Sequence, residues 1–334
     1  MLIRNRKTKY YKGGWLCILL FLSSCGSEIT IEPVSVLGEM IHPNDNPSSE
    51  AKVELGRLLF FDTRLSSDNS ISCASCHVPE YAFTDRKPLS IGVDGGVSMR
   101  NAPTLLNVGY QETVMFDAEI KSLEMQVPVP IKEHVEMNMR IDSLILRLKK
   151  VPQYRELAKK AFNREIDAWV LTRSISAFER TLISDASQFD QFYYHNDPKA
   201  LNASEKAGWK LFSEELYCTT CHAPPHFTNF QAENNGLYMD YGEDLGRFRI
   251  DFDSLEIGSF KVPTLRNIEL TYPYMHDGSL SSLEEVVEHY ANGAQGHPNQ
   301  HPIIESVNLS ESEKQHLIDF LKSLTDTSYM TYFR

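Results

Sequence analysis

Apolar residues recur at helical spacing in several separate stretches of the chain, and no stretch shows the strict alternation of a half-buried strand. A helix capped by Ser48 or Ser49 is predicted to run through about Phe60, with Val53, Leu55, Leu58 and Leu59 as its apolar members. Residues 142–162 and 165–183 predict two more. In the second of these, Trp169, Val170, Ile175, Phe178 and Leu182 fall near helical spacing, the mark of a core-facing stripe. Another helix is predicted from about Ser204 to Phe212. Near the C-terminus Ser310 and Glu313 have the spacing of a capping box, and Leu317, Ile318, Leu321 and Leu324 follow on one face. Residues 84–102, with Gly92, Gly95, Gly96 and Pro88, read as loop, and residues 223–262 as mostly irregular. Asp185–Asn202 reads as a polar connection and the expected domain boundary. The expected fold class is mainly α.

With 42% hydrophobic and 23% charged residues the composition is that of a soluble globular protein, and 334 residues leave room for two domains. A net charge of −12 argues against nucleic acid and against adhesion to anionic lipid. The first 25 residues change this picture. Arg4, Arg6, Lys7, Lys9 and Lys12 precede a short apolar run, Trp15 to Leu22, with the layout of an export signal and too little length for a stable span. Leu22-Ser23-Ser24-Cys25 resembles a bacterial lipobox, which implies cleavage before Cys25 and lipid on its sulfur. The expected mature protein is lipid-anchored at Cys25 in the periplasm or at the cell surface, and meets the membrane through that anchor only. Residues 26–48, with Pro33, Pro43, Pro47, Asn44 and Asn46, read as a linker.

Of six cysteines, Cys17 and Cys25 lie in this leader. The other four form Cys73-Ala74-Ser75-Cys76-His77 and Cys218-Thr219-Thr220-Cys221-His222. Cysteines three apart on one turn can each form a thioether to a haem vinyl group, and the next histidine then supplies an axial nitrogen to the iron. A zinc site or a redox disulfide is the alternative for a C-x-x-C pair. A histidine directly after both pairs, in an exported chain, points instead to two covalent c-type haems with His77 and His222 as proximal ligands.

An internal repeat accompanies the motifs. Gly56-x-x-Leu59-Phe60 precedes the first and Gly208-x-x-Leu211-Phe212 the second. Pro103-Thr104-Leu105 recurs as Pro263-Thr264-Leu265, Asp117 as Asp277, and Ser122-Leu123-Glu124 as Ser282-Leu283-Glu284, all offset by 160 (263 − 103). The expected organisation is two cytochrome c-like domains related by duplication, 49–185 and 186–334, with the haems near their interface.

These features, with Leu55-Gly56, Arg100-Asn101-Ala102-Pro103-Thr104, Leu123-Glu124-x-Gln126, Glu136-Met137, Pro263-Thr264-Leu265-Arg266-Asn267 and Tyr272-Pro273-Tyr274-Met275-His276-Asp277-Gly278, resemble the bacterial di-haem cytochrome c peroxidases and their relative MauG, which oxidises protein-bound tryptophans. The resemblance covers about residues 48–325. It implies a peroxidatic haem in the first domain and an electron-transfer haem in the second. It implies Glu136 as the acid–base residue that moves the peroxide proton, with the Gln126 amide bonding the oxygen at the iron. It also implies a calcium ion held by the Asn101 side chain and the backbone carbonyls of Thr271 and Pro273. Glu124 and Glu133 are the neighbouring competitors of Glu136.

Three departures from the family pattern shape the expectations. Where many members have a loop histidine that closes the peroxidatic iron, sixteen residues after His77, this chain has Val93, so the first iron is expected to be open at rest. Where the family has a tryptophan between the haems, Phe116 stands, with His276 opposite it in the repeat and expected beside the second haem's propionates. Where typical peroxidases have methionine as distal ligand of the second haem, Tyr290 stands, as tyrosine does in MauG, with Met275 as the rival and Met239 behind it. The leading expectation is reduction of hydrogen peroxide to water, with electrons from a small cytochrome c or cupredoxin passing from the C-terminal to the N-terminal haem. The alternative is MauG-like oxidation of a protein or organic substrate. A pure electron carrier would not need Gln126 and Glu136. A homodimer is compatible with either reading.

Overall fold

The computed structural model describes residues 35–333; the leader and the expected lipidation site at Cys25 lie outside them. These residues are mostly helix and loop, with one antiparallel pair of two-residue strands, Ala232–Glu233 against Phe260–Lys261. None of the described helices is long and apolar enough to cross a membrane.

Two apolar cores organise the fold. In the first, helices Glu50–Phe60 and Ala168–Glu179 pack together and bury Leu55, Leu59, Phe60, Ile175 and Phe178. Gly56 makes this approach possible: a Cβ there would lie 1.9 Å from the Ser174 carbonyl oxygen. In the second, helices Ala203–Lys210 and Glu311–Lys322 pack in the same way, burying Leu317 and Phe320 against Phe189, Phe212 and Phe227. There Gly208 would place a Cβ 1.9 Å from the His316 carbonyl oxygen. The C-terminal tail returns to the first core, where Tyr329 is buried and its hydroxyl donates to the Pro79 carbonyl at 3.1 Å.

Several expected elements differ in detail. The helix expected over 142–162 is two, Ile141–Leu148 and Pro152–Phe162, because Pro152 has no N–H to continue the first and is suited to open the second. Ser49 flanks the first helix but its side chain caps nothing. Asp167 caps Ala168–Glu179 by accepting from the Val170 N–H at 2.8 Å. The Ser310–Glu313 capping box forms as expected. Asn202 and Glu205 form another, opening Ala203–Lys210, which continues as a wider turn over Leu211–Glu215. The polar connection 185–202 contains a helix, Gln188–Tyr193, whose Phe189 enters the second core and whose buried Asp190 pairs with Arg266 at 2.8 Å. The described end of the expected linker is docked: Asn46 is buried and donates to Glu124 at 2.8 Å and to the Arg173 carbonyl at 3.0 Å.

Candidate haem-binding active site

Cys73–Cys76 form one helical turn, fixed at its start by the Ser72 N–H donating to Ser75 Oγ at 3.0 Å. His77 follows, and its Nδ1 lies 2.9 Å from the Phe83 carbonyl oxygen. A carbonyl can only accept, so Nδ1 carries the hydrogen and Nε2 keeps its lone pair for a metal. The second motif does the same: His222 Nδ1 lies 3.0 Å from the Phe227 carbonyl oxygen. Burial lowers the pKa of both imidazoles, that of His222 to about 4, so both stay neutral. All four cysteines are free. Burial raises their thiols, Cys218 to about 12 and Cys221 to about 11. No cluster of three or more metal-ligating side chains occurs among the described residues. Paired protonated thiols on one turn and a histidine with a free Nε2 fit a covalent haem.

A further feature fits an anionic group between the two motifs. Burial lowers the Lys261 amine to about 8, and among the described residues no carboxylate pairs with it. A haem propionate would supply that partner. The Lys261 N–H also donates to the Phe116 carbonyl at 2.5 Å, which ties Phe116 to the Phe260–Lys261 strand. Nearby, Arg100 donates to buried Asp117 at 3.1 Å and to Asp244 at 2.6 Å, and Arg249 also donates to Asp117. Sequence reading quoted Arg100 and Asp117 but missed this cluster and Lys261.

On the far side of the first motif, residues 90–98 form a tight loop in which the Gly92 N–H donates to the Gly96 carbonyl at 2.8 Å. It presses on the segment that carries the candidate acid–base residue: a Cβ on Gly92 would meet the Val135 carbonyl oxygen at 2.2 Å, and the Val93 N–H donates to the Glu136 carbonyl at 2.8 Å. Val93 is 2% exposed and packs as a core residue. The Glu136 pKa is raised, by burial first and by Glu133 second, and its carboxylate in turn acts on Cys76. Gln126 ends the turn Leu123–Gln126, half-buried, with no hydrogen bond from its amide within the described residues. The competitors are otherwise engaged. Glu124 accepts from Arg180 at 2.7 and 3.0 Å and from Asn46 at 2.8 Å. Burial acts to raise the Glu124 pKa, and these hydrogen bonds more than offset it, so the carboxyl titrates below its ordinary range. Glu133 pairs at 2.5 Å with exposed His134. Glu136 is the one of the three that is both shielded and without a cationic partner.

At the second motif, Tyr290 and Met275 converge on Asn235. The Asn235 side-chain amide donates to Met275 Sδ at 3.2 Å, and the Asn235 backbone carbonyl accepts from His289 Nε2 at 3.1 Å. Burial raises the Tyr290 phenol to about 12 against the opposing hydrogen bond with Asn235, and Cys218 and Cys221 add to the rise. Tyr290 lies on the helix Leu283–Ala291, whose Leu283 and Val287 enter the core that Cys218 packs against. His276 is buried and stacks on Phe260 with ring centroids 3.8 Å apart. Its backbone carbonyl accepts from the Asn101 N–H at 2.8 Å. The Asn101 amide donates to the Lys87 carbonyl at 2.7 Å, and its Oδ1 has no hydrogen-bond donor among the described residues. Thr271 and Pro273 lie on the segment that leads into His276, and the carbonyl of Leu270 accepts from Arg86 at 3.0 Å. Met239 is 56% exposed.

Comparison with known proteins gives the same assignment. A family model described as di-haem cytochrome c peroxidase matches residues 50–198. The methylamine utilization protein MauG of Methylorubrum extorquens is 37% identical over 287 residues, covering 85% of this chain and 80% of that protein. Cytochrome c551 peroxidase of Nitrosomonas europaea is 34% identical over 316 residues, covering 93% and 91%. The crystal structure of a MauG-like protein associated with microbial copper homeostasis superposes with a TM-score of 0.83 at 32% identity, covering 90% of this chain and 95% of that one. The chain belongs to the di-haem cytochrome c peroxidase and MauG family.

Proposed function

We propose that the protein reduces hydrogen peroxide to water at a haem held by Cys73, Cys76 and His77, with electrons from a small redox protein entering at a haem held by Cys218, Cys221 and His222. The observation that carries this reading is Glu136, partly buried, without a cationic partner among the described residues, and held through its backbone by the loop that follows the first motif. When bound, the first haem supplies the redox-active iron at which the peroxide O–O bond breaks. Glu136 takes the first peroxide proton as a base and returns it to the leaving oxygen as an acid. Burial suits it to both roles, since a carboxyl with a raised pKa exists in both protonation states nearer neutral pH. Gln126 orients the peroxide through its free amide. The Val93 loop holds the Glu136 backbone, and the Val93 side chain itself cannot ligate iron. A lipid anchor at Cys25 and a calcium ion at Asn101, Thr271 and Pro273 belong to the same reading.

The second reading, oxidation of a protein or organic substrate by the same oxidising equivalents, is favoured by one observation: Tyr290 on the helix that packs into the core beside Cys218. A phenolate ligand favours ferric over ferrous iron, which suits stored oxidising power more than an electron reservoir. Steady-state peroxide consumption with a reduced small cytochrome separates the two. Sustained turnover supports the peroxidase reading. Peroxide-driven spectral change without turnover of the donor supports the second, and neither response would remove both.

A further inference from the structure

We propose that Tyr238 is an oxidisable relay residue through which oxidising equivalents leave the second haem site for a one-electron donor at the protein surface; this rests on the peroxide chemistry proposed above. Tyr238 is half-buried and is followed by Met239, 56% exposed, and by exposed Asp240, so it joins the interior to the surface. Its ring stands edge-on to His276 at 6.3 Å and to Tyr241 at 5.8 Å between centroids. His276 stacks on Phe260, and Tyr241 lies 5.9 Å from the same ring. The strand that carries Phe260 is in turn tied to Phe116, whose carbonyl accepts from the Lys261 N–H at 2.5 Å. A continuous aromatic set therefore runs from Phe260 through His276 and Tyr241 to Tyr238.

What singles out Tyr238 is the atom its hydroxyl faces. A neutral tyrosine that loses an electron must also lose its phenolic proton, and a base within hydrogen-bond reach has to receive it. Tyr238 Oη donates to the Asp277 carboxylate at 2.6 Å. Tyr241 donates to the Asn234 amide oxygen at 3.0 Å, and Tyr290 faces the amide of Asn235; neither amide can take a proton at neutral pH. Tyr110, Tyr274 and Tyr329 donate to backbone carbonyls, which are no better. Tyr154 does donate to a carboxylate, Asp62 at 2.7 Å, but it is enclosed in the first core, and Arg64 already neutralises Asp62 at 2.8 Å.

The step balances as follows. One electron passes from the Tyr238 ring to the haem pair that hydrogen peroxide has oxidised, which is thereby reduced by one electron. The Tyr238 O–H bond breaks and its proton moves to Asp277 Oδ2, leaving a neutral phenoxyl radical. The surface donor then returns one electron, Asp277 returns the proton, and the phenol is restored.

The test uses the ferric protein with both haems attached, mixed with one equivalent of hydrogen peroxide, freeze-quenched and read by electron paramagnetic resonance. The wild type should give a phenoxyl signal. Tyr238→Phe should lose it while keeping the wild-type ferric haem absorption, and Tyr241→Phe should keep it. A signal that survives Tyr238→Phe unchanged, or no phenoxyl signal in the wild type once peroxide has altered the haem bands, overturns the proposal. If peroxide leaves the haem bands unaltered, the peroxide reading fails instead. Photo-oxidation by ruthenium tris-bipyridine with persulfate then tests the residue on its own: a phenoxyl signal that falls in Tyr238→Phe below the wild-type level supports the relay, and one of unchanged intensity overturns it.

Discussion

At the first motif His77 gives its Nδ1 hydrogen to a backbone carbonyl six residues on; at the second His222 does so five residues on. Thr104 donates to the Ala82 carbonyl at 2.6 Å and Thr264 to the His226 carbonyl at 2.7 Å. Asn107 and Asn267 both stand at φ 60°, in the left-handed region that asparagine tolerates better than most residues. Met115 and Met275 share a positive φ, 72° and 74°. Val114 pairs with Ile120 as Tyr274 pairs with Leu280. The two regions thus use one backbone frame to hold a histidine with its Nε2 free. They part on the other side. After the first motif a loop buries Val93 and holds the Glu136 backbone; in the second half Asn235 donates to Met275, and its backbone carbonyl accepts from His289, which adjoins Tyr290. They part in the core as well, where buried Leu106 stands 160 residues (266 − 106) before buried Arg266. The shared frame accounts for attachment, and the residues outside it account for what each site can do.

The largest expected effect breaks this comparison in the core. Asp190→Ala leaves Arg266 buried without its partner and should cost about 3–5 kcal/mol of stability. Denaturant unfolding of the holoprotein measures it, and a loss under about 1 kcal/mol would mean the pair does not hold the second half. Next comes the far side of the first site. Glu136→Gln should leave both haems attached and slow peroxide cleavage by about 10²-fold or more, with Glu133→Gln as the surface control. The base form of Glu136 is its carboxylate, and its pKa lies above the ordinary 4.5. The wild-type rate should therefore fall on acidification with a midpoint above that value, and the Gln variant should lose this limb. A profile flat across that range, or a fully active variant, moves the role elsewhere.

Smaller effects sharpen the likeness. Gly56→Ala and Gly208→Ala each drive a methyl group toward a carbonyl oxygen at 1.9 Å, so each should cost about 1–3 kcal/mol, and the two costs should be similar. Thermal melts that show one site tolerant and the other not would break the equivalence of the two helix pairs. The smallest effect is spectroscopic. Tyr290→Phe should change the ferric absorption and raise the potential of the second haem, whereas Met275→Leu should not. The reverse pattern would make Met275 the ligand.

Much of the frame was legible in the chain because it rests on local chemistry. The C-x-x-C-H spacing, the Ser310–Glu313 box and the Gly56 and Gly208 positions each state their geometry within a few residues. Pro152 was legible too, and the uninterrupted helix over 142–162 overlooked it. What escaped reading depends on partners distant in sequence. Gln188–Tyr193 looked like polar connection because Asp190 reads as a surface charge until Arg266, 76 residues later, is brought to it. Glu124 could rival Glu136 on spacing alone; only Arg180, 56 residues on, removes it. Lys261 and the Arg100–Asp117–Asp244 cluster carry no local signal, since their meaning lies in charges that the fold gathers. Tyr238 gave none either, because its distinction is the carboxylate 39 residues away.

The central claim is that one backbone frame holds two haems whose far sides differ, the first open beside Glu136 and the second closed by a side-chain ligand. Electron paramagnetic resonance of the as-isolated ferric protein, followed by peroxide addition without prior reduction, tests it most directly. One high-spin and one low-spin haem, with the high-spin signal changing at once on peroxide, is the predicted result. Two low-spin signals, with reactivity only after partial reduction, would contradict it.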